Sequence, residues 1–147
     1  MMDAVRAIDR RNVDEVMILD ITATPKKRGP RFEEINKFTS ELFCPVIVGG
    51  GVRTVDDEID LLKAGAEKVA ICTGAFDEGK LIEDAAKRIG SRSVVGVVDV
   101  CCDWVVSHCG LVDREILALD WAAQLEPGGL SSLTSIMMAP CRDTTSN

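Results

Sequence analysis

Two aspartates, Asp20 and Asp99, each end an apolar run that is typical of a buried strand, VMIL before the first and VVGVV before the second. Burial at a strand end raises the pKa of a carboxyl group and suits it to general acid or base catalysis, unless neighbouring donors keep it ionised. Both residues are therefore candidate catalytic groups. The structural alternative is that Asp99 caps the loop that follows it and that Asp20 hydrogen-bonds within the loop at residues 22–24.

A run of three glycines lies at a strand-to-helix turn: Gly49, Gly50 and Gly51. Glycine has no side chain, so backbone N–H groups at such a turn can approach a phosphate closely, and the helix N-terminus near Thr54 would add partial positive charge. Thr73 and Gly74 end the next apolar run and would extend this cradle with a hydroxyl and another N–H. A simple tight turn is the alternative interpretation of the glycines.

The only dense basic run is Lys26, Lys27 and Arg28, in the loop after the Asp20 strand. Over the same rim as the glycines, these cations would suit a phosphorylated substrate; the alternative is a solvated loop. The chain as a whole carries 17 Lys and Arg against 24 Asp and Glu, a net charge of −7. Such a chain repels nucleic acid and anionic membrane, so we expect neither as a partner, and a bound phosphate must be held by local geometry.

The elements that must position these residues follow from the apolar pattern. Runs rich in β-branched residues predict strands covered on both faces at residues 16–21, 46–48, 69–73 and 94–100. Apolar residues spaced three and four apart predict amphipathic helices between them. Their stripes are Phe32, Ile35, Phe38 and Leu42; Val55, Ile59 and Leu62; and Leu81, Ala85 and Ile89.

A helix-capping signal supports this division into strands and helices, because Thr54 and Asp57 have the spacing of a capping box. A repeated strand-helix unit predicts an α/β fold, either a doubly wound sheet or part of a (β/α)8 barrel, in which the carboxyl ends of the strands share one rim.

Beyond residue 100 the pattern weakens: residues 104–110 predict an extra strand, 114–125 a helix, 126–132 a loop and 133–138 a final strand. The 147 residues correspond to one domain.

Cysteine and histidine content argues against a disulfide scaffold and against a metal site. The six cysteines include the adjacent pair Cys101 and Cys102 and form no CxxC motif, which favours reduced, buried thiols. His108 is the only histidine, and only Cys109 stands at a usable spacing from it, so we predict no metal and no cofactor.

No apolar run approaches the roughly 20 residues of a membrane span, and no signal-peptide pattern opens the chain, so we expect a cytoplasmic protein.

Four ordered segments, VDEVMILDITA, PVIVGGGVRTVDD, LLKAGAEKVAICTGAF and SVVGVVDV, closely resemble the cyclase subunit of imidazole glycerol phosphate synthase, HisF, a (β/α)8 barrel of histidine biosynthesis. The resemblance is continuous over residues 13–99 and returns in SHCG, LDWAAQLE and LTSI. It implies a partial barrel with strands about two to six, in a single incomplete domain over residues 1–147. Residues 1–100 match well, and residues 101–147 are degenerate.

Enzymes of this family take ammonia from a partner glutaminase and use it to cleave and cyclise a bis-phosphorylated ribulosyl substrate, as carbon-nitrogen lyases. The resemblance implies that Asp99 is the acid or base of the fifth strand and that Asp20 is an active-site aspartate of the second. It further implies that Gly51 and Thr73 bind one substrate phosphate. Thr134 matches a threonine on the rim of the sixth strand.

The resemblance also implies a gate for ammonia at the opposite strand ends, where Glu15 and Lys68 match two members of a charged ring. A surface salt bridge is the alternative, with a free energy of about 0 to 1 kcal/mol.

Cys72 departs from the family, which usually has asparagine there, and residues 137–141 interrupt a loop that helps to bind the second phosphate. The first-strand aspartate has no counterpart. A barrel without strands one, seven and eight would expose unpaired edges, so we expect a fragment, or a chain that must associate, with impaired activity.

Three functions therefore compete. The first is the cyclase of histidine biosynthesis, and the second is a HisF-like paralogue that supplies ammonia for sugar amidation. The third is a non-catalytic half-barrel that binds phosphate or a partner chain. Glu15 and Lys68 favour an ammonia-using enzyme, whereas the missing first-strand aspartate favours the non-catalytic protein.

Overall fold

The computed structural model describes residues 13–125 and 134–138. Its strands are β1 (Val16–Leu19), β2 (Val46–Gly49), β3 (Lys68–Ile71), β4 (Val94–Cys101), β5 (Trp104–Ser107), β6 (Val112–Leu117) and β7 (Thr134–Met138). Its α-helices are α1 (Phe32–Thr39), α2 (Val55–Lys63), α3 (Thr73–Asp77), α4 (Leu81–Ile89) and α5 (Ala118–Leu125). The predicted loop at residues 126–132 lies outside the described residues.

The strands form a single curled sheet. β1 to β4 lie side by side in chain order and are parallel, and β7 pairs in parallel with the other edge of β4. β5 turns back antiparallel to β4 and then pairs with β6. Because β3 pairs with residues 94–96 of β4 and β5 with residues 99–101, the β5–β6 hairpin continues the sheet beyond the carboxyl end of β3. The predicted fold class, a partial (β/α)8 barrel, is confirmed.

Both faces of the sheet are buried along β2, β3 and β4, which explains why the sequences of these strands are apolar without interruption. Successive side chains of a strand point to opposite faces. On β2, Val46 and Val48 therefore join the core that includes Leu61 of α2, whereas Ile47 joins a smaller core on the opposite face.

The helices bury most of the predicted faces, with one exception on α2. Ile35 of α1 and Ala85 of α4 are buried as expected. On α2, the three predicted positions Val55, Ile59 and Leu62 are all only half-buried. The fully buried positions are Leu61 and Glu58, each with 0% of its surface exposed. Within residues 13–125 and 134–138, no helix has the length and apolar character needed to cross a membrane.

The prediction of a helix over residues 114–125 is wrong for residues 114–117, which belong to β6. Arg114 and Ile116 are half-buried while Glu115 and Leu117 are exposed, so burial alternates with the period of a strand. Pairing with β5 imposes this conformation and overrides the helical pattern. The predicted extra strand within residues 104–110 and the final strand are both confirmed, as β5 and β7.

The prediction of reduced, buried thiols is right only in part. Cys44, Cys72 and Cys109 are free thiols, but Cys101 is disulfide-bonded. Cys102 and Cys109 are also exposed, because both lie in the turns that bound β5, with positive φ angles of 50° and 60°.

Candidate active site

Most of the predicted site residues line one cavity of about 130 Å³ at the carboxyl end of the sheet. Each follows or ends a strand, so the parallel topology accounts for their meeting. They are Asp20 after β1, Gly50 and Gly51 after β2, Thr73 and Gly74 at the start of α3, and Asp99 near the end of β4.

The sequence also predicts Gly49 and Thr134 as phosphate-site residues. Gly49 lines a neighbouring cavity and packs against β3 so closely that a Cβ there would lie 2.6 Å from the carbonyl oxygen of Ala70. Thr134 begins β7, where its backbone pairs with Gly96 of β4. Its side chain is not described, so its role on the rim stays a prediction.

Asp20 is held as an anion by its own loop. Its Oδ2 accepts hydrogen bonds from Arg28 Nη2 at 2.6 Å and Arg31 Nε at 3.2 Å. Its Oδ1 accepts from the Thr22 backbone N–H at 3.0 Å and the Thr22 hydroxyl at 2.8 Å. Burial raises the pKa of Asp20, but the hydrogen bonds from Arg28, Thr22 and Arg31 together outweigh it and hold the pKa far below its usual range. The structural alternative in which Asp20 bonds to its loop is therefore observed, inside the cavity.

The pKa of Asp99 is displaced in the opposite direction. Its Oδ2 accepts a hydrogen bond from Cys72 Sγ at 3.4 Å. Burial raises the pKa of Asp99 and outweighs the opposing effect of the thiol. Burial and the nearby Asp99 carboxylate raise the pKa of Cys72 to about 12, so Cys72 remains a neutral thiol. The cavity thus contains one carboxylate fixed in its ionised form and one carboxyl group whose proton is easier to retain.

The turn after β2 requires glycine for conformational reasons. Gly50 and Gly51 have φ angles of +106° and +77°, which side-chain-bearing residues rarely adopt. A Cβ at Gly51 would also lie 2.7 Å from the carbonyl oxygen of Arg28 and 2.8 Å from Cβ of Ala23. The loop after β1 and the turn after β2 are therefore packed backbone to backbone.

We expect Gly51→Ala to lower the free energy of unfolding by about 1 to 3 kcal/mol, because it combines an unfavourable φ with a collision. Gly79→Ala is the matched control, since its Cβ would meet no atom within 4 Å; its effect should stay below about 1 kcal/mol. Urea unfolding of both variants measures the difference. Equal stability of the two variants would contradict the packing described here.

A second cavity, of about 250 Å³, adjoins the first and is basic. The two cavities share a wall that includes Gly51, Thr73 and Gly74. The charged residues of the second lining are Lys27, Arg28, Arg53 and Asp77, and His108 completes its polar side. The sequence analysis did not select Arg53, although its place directly after the glycine run was a usable signal.

The start of α2 contributes less positive charge than the sequence predicts. The capping box is confirmed, with Thr54 Oγ1 accepting from the Asp57 N–H at 3.1 Å. Asp57 Oδ2 in turn accepts from the backbone N–H groups of Arg53 at 3.0 Å and Thr54 at 3.1 Å. Because a carboxylate already occupies this helix N-terminus, the charge that attracts an anion must come from the basic side chains.

The β5–β6 hairpin forms a wall of the basic cavity that sequence reasoning missed. The His108 N–H donates to Thr73 Oγ1 at 3.1 Å, and His108 Nε2 lies 3.5 Å from Asp77 Oδ2. Arg114 donates to Ser107 Oγ at 2.6 Å and to Asp77 Oδ1 at 2.9 Å. These contacts fix the hairpin to α3. In the sequence, the isolated His108 is the only signal of these contacts, because Arg114 lies in a segment with a helical pattern.

Glu15 and Lys68 lie at the other end of the sheet, just before β1 and at the start of β3. Lys68 Nζ and Glu15 Oε1 are 2.6 Å apart, and both side chains are partly exposed. The salt bridge that the sequence analysis left open is therefore present. The role of the pair as an ammonia gate stays a prediction.

Comparison with known proteins adds an independent observation. Residues 1–140 match the family described as histidine biosynthesis protein. The imidazole glycerol phosphate synthase subunit HisF of Thermococcus gammatolerans is 34% identical over 136 residues, which are 90% of this chain and 54% of the relative. That of Dictyoglomus thermophilum is 37% identical over 141 residues, 91% of this chain and 56% of the relative. That of Methanosphaerula palustris is 46% identical over 101 residues, 67% of this chain and 38% of the relative. The chain thus spans about half the length of these relatives, or less.

Proposed function

Because the chain belongs to the histidine biosynthesis protein family, we propose that it carries the acid-base and phosphate-binding rim of an imidazole glycerol phosphate synthase cyclase. One observation supports this most directly. Asp20 and Asp99 line one cavity and their pKa values are displaced in opposite directions. Carboxyl groups whose environments separate their pKa values are typical of catalytic acid-base pairs.

The proposed substrate is the bis-phosphorylated ribulosyl compound that the family resemblance implies, and the reaction is carbon-nitrogen cleavage with cyclisation. In this proposal Asp99 transfers a proton and ionised Asp20 orients the substrate or stabilises developing positive charge. One phosphate lies against Gly51, Thr73 and Gly74, with its charge balanced by the side chains of the basic cavity. We place the reaction in the cytoplasm.

Ammonia enters, in this proposal, from a glutaminase bound at the opposite end of the sheet. Glu15 and Lys68 lie there, and their salt bridge is partly exposed. A fully exposed ion pair contributes about 0 to 1 kcal/mol to stability, and this pair is partly shielded from solvent. A charged pair at the amino ends of the strands could admit ammonia toward the interior.

The test is turnover by the protein that contains this chain. With the histidine-pathway substrate and an ammonium salt, we expect formation of imidazole glycerol phosphate; with glutamine, we expect it only when the glutaminase is added. Normal turnover would exclude the sugar-amidation paralogue. Failure to turn over this substrate, with a glutaminase still bound, would overturn the cyclase and leave the paralogue. Phosphate binding without any turnover would leave the non-catalytic half-barrel.

A further inference from the structure

Arg28 stands between the two cavities. Its Nη2 donates to Asp20 Oδ2 at 2.6 Å and to Thr22 Oγ1 at 2.7 Å, and its Nη1 donates to the carbonyl oxygen of Gly29 at 3.2 Å. Asp20 lines the first cavity, whereas Arg28 lines the basic one. The same guanidinium therefore pairs with the carboxylate of one cavity and forms the wall of the other.

The loop geometry keeps Arg28 in this position. Successive backbone hydrogen bonds fold the segment into turns, from the Ala23 N–H to Asp20 O, from the Lys27 N–H to Thr24 O and from the Arg28 N–H to Ala23 O. Arg28 thus returns to the carboxylate that begins its own loop. Its side chain is 28% exposed, so a ligand in the basic cavity can reach it.

Arg31 makes a change of partner possible. Arg31 Nε donates to the same Asp20 oxygen at 3.2 Å, but Arg31 lines a different cavity and does not face the basic one. If Arg28 turned toward an anion, Asp20 would keep a cationic partner and two hydrogen bonds from Thr22. An uncompensated buried charge, which is strongly unfavourable, would therefore not arise.

We propose that Arg28 couples the two cavities, so that a phosphoryl group bound in the basic cavity draws the guanidinium from Asp20 and opens the acceptor position that Arg28 occupied on Asp20 Oδ2 to the substrate. This inference rests on the phosphate site of the proposed function and deepens it. Arg28 shares the basic cavity with Lys27, Arg53, Asp77 and His108, so a phosphate there meets more cations than carboxylates. An arginine fork suits phosphate well, because it offers several N–H donors in one plane.

The coupling between Asp20 and bound phosphate must act equally in both directions, and this gives a test that needs no substrate. If Asp20 and phosphate compete for Arg28, neutralising Asp20 must tighten phosphate binding, and the gain must depend on Arg28. Calorimetric titration with inorganic phosphate, at constant ionic strength and about pH 7, should show Asp20→Asn binding about tenfold more tightly than the parent protein. In the Arg28→Met background, phosphate should bind at least about tenfold more weakly, and adding Asp20→Asn should change the affinity by less than about twofold.

Arg31→Met is the matched control, because it removes a partner of Asp20 without touching the basic cavity. In that background Asp20→Asn should still tighten phosphate binding by about tenfold. Arg28→Gln, which removes the charge but keeps a polar side chain, replaces Arg28→Met in the cycle if the latter binds too weakly to measure or does not fold.

Two results would overturn the proposal, and they differ in scope. An equal gain from Asp20→Asn with and without Arg28 would show a general charge effect and would remove the coupling alone, leaving the proposed function intact. No phosphate binding by the parent protein would remove the phosphate site itself, and with it both the coupling and the phosphate contacts of the proposed function.

Discussion

Replacing Asp99 by asparagine is expected to lower kcat by about 10²- to 10⁴-fold in the protein that contains this chain. Asparagine keeps the shape of the side chain but cannot exchange a proton at neutral pH. The backbone of Asp99 pairs with Val106 and Met137, and these pairings do not depend on the carboxyl group. Turnover with ammonium salt should therefore fall while the circular dichroism spectrum stays unchanged.

Asp103→Asn is the control for this experiment. Asp103 is exposed in the turn between β4 and β5 and does not line the cavity. Its φ of 72° is tolerated by asparagine as well as by aspartate. We expect this variant to keep its turnover within about twofold of the parent. If Asp99→Asn also retained its turnover, Asp99 would not be the proton-transferring group.

The stability of the protein is expected to fall as the pH rises, because of Glu58. This side chain is fully buried, and neither carboxyl oxygen has a hydrogen-bond partner among the described residues. Burial, with a smaller effect from the charge of Asp57, raises the pKa of Glu58 from 4.5 to about 8.

The direction of the pH dependence follows from this raised pKa. Below the unfolded value of 4.5, Glu58 is protonated in both states and burial carries no charge penalty. As the pH rises toward 8, the unfolded chain releases the proton while the folded protein retains it. The free energy of unfolding should therefore fall by about 3 to 5 kcal/mol between about pH 5 and about pH 9.

Glu58→Gln removes the titrating group and should remove this part of the pH dependence. Urea unfolding of parent and variant at both pH values measures it as a difference, in which other titrating groups such as Asp99 cancel. Asp60→Asn is the control on the same helix, since Asp60 is exposed and pairs with Lys63 Nζ at 2.8 Å; its effect should be about 0 to 1 kcal/mol at either pH. Parallel pH profiles for parent and Glu58→Gln would refute the prediction.

Features encoded locally or by repetition could be predicted from the sequence. The strands of the first hundred residues were recognisable because both sheet faces are buried, so apolar residues run without a break. The capping box of Thr54 and Asp57 needs only residues three apart. Asp20 and Asp99 could be assigned to one rim because parallel strands bring their carboxyl ends together.

Features that depend on tertiary contacts could not be predicted in this way. Residues 114–117 read as helix, and only pairing with β5 makes them a strand. A helical pattern places a glutamate in solvent, yet Glu58 is buried against the core. The ionised state of Asp20 depends on the side-chain positions of Arg28 and Arg31, which sequence spacing alone does not give.

Among the described residues, the hydrogen-bonding partners of the Asp20 carboxylate come from the segment that directly follows β1, at separations of 2, 8 and 11 residues. A strand and its loop therefore carry the anion together with its counter-charges. Gene duplication or recombination that copied residues 16–31 would transfer these contacts together, provided that the recipient also carried glycine at the positions of Gly50 and Gly51, which pack against Asp20 and Arg28.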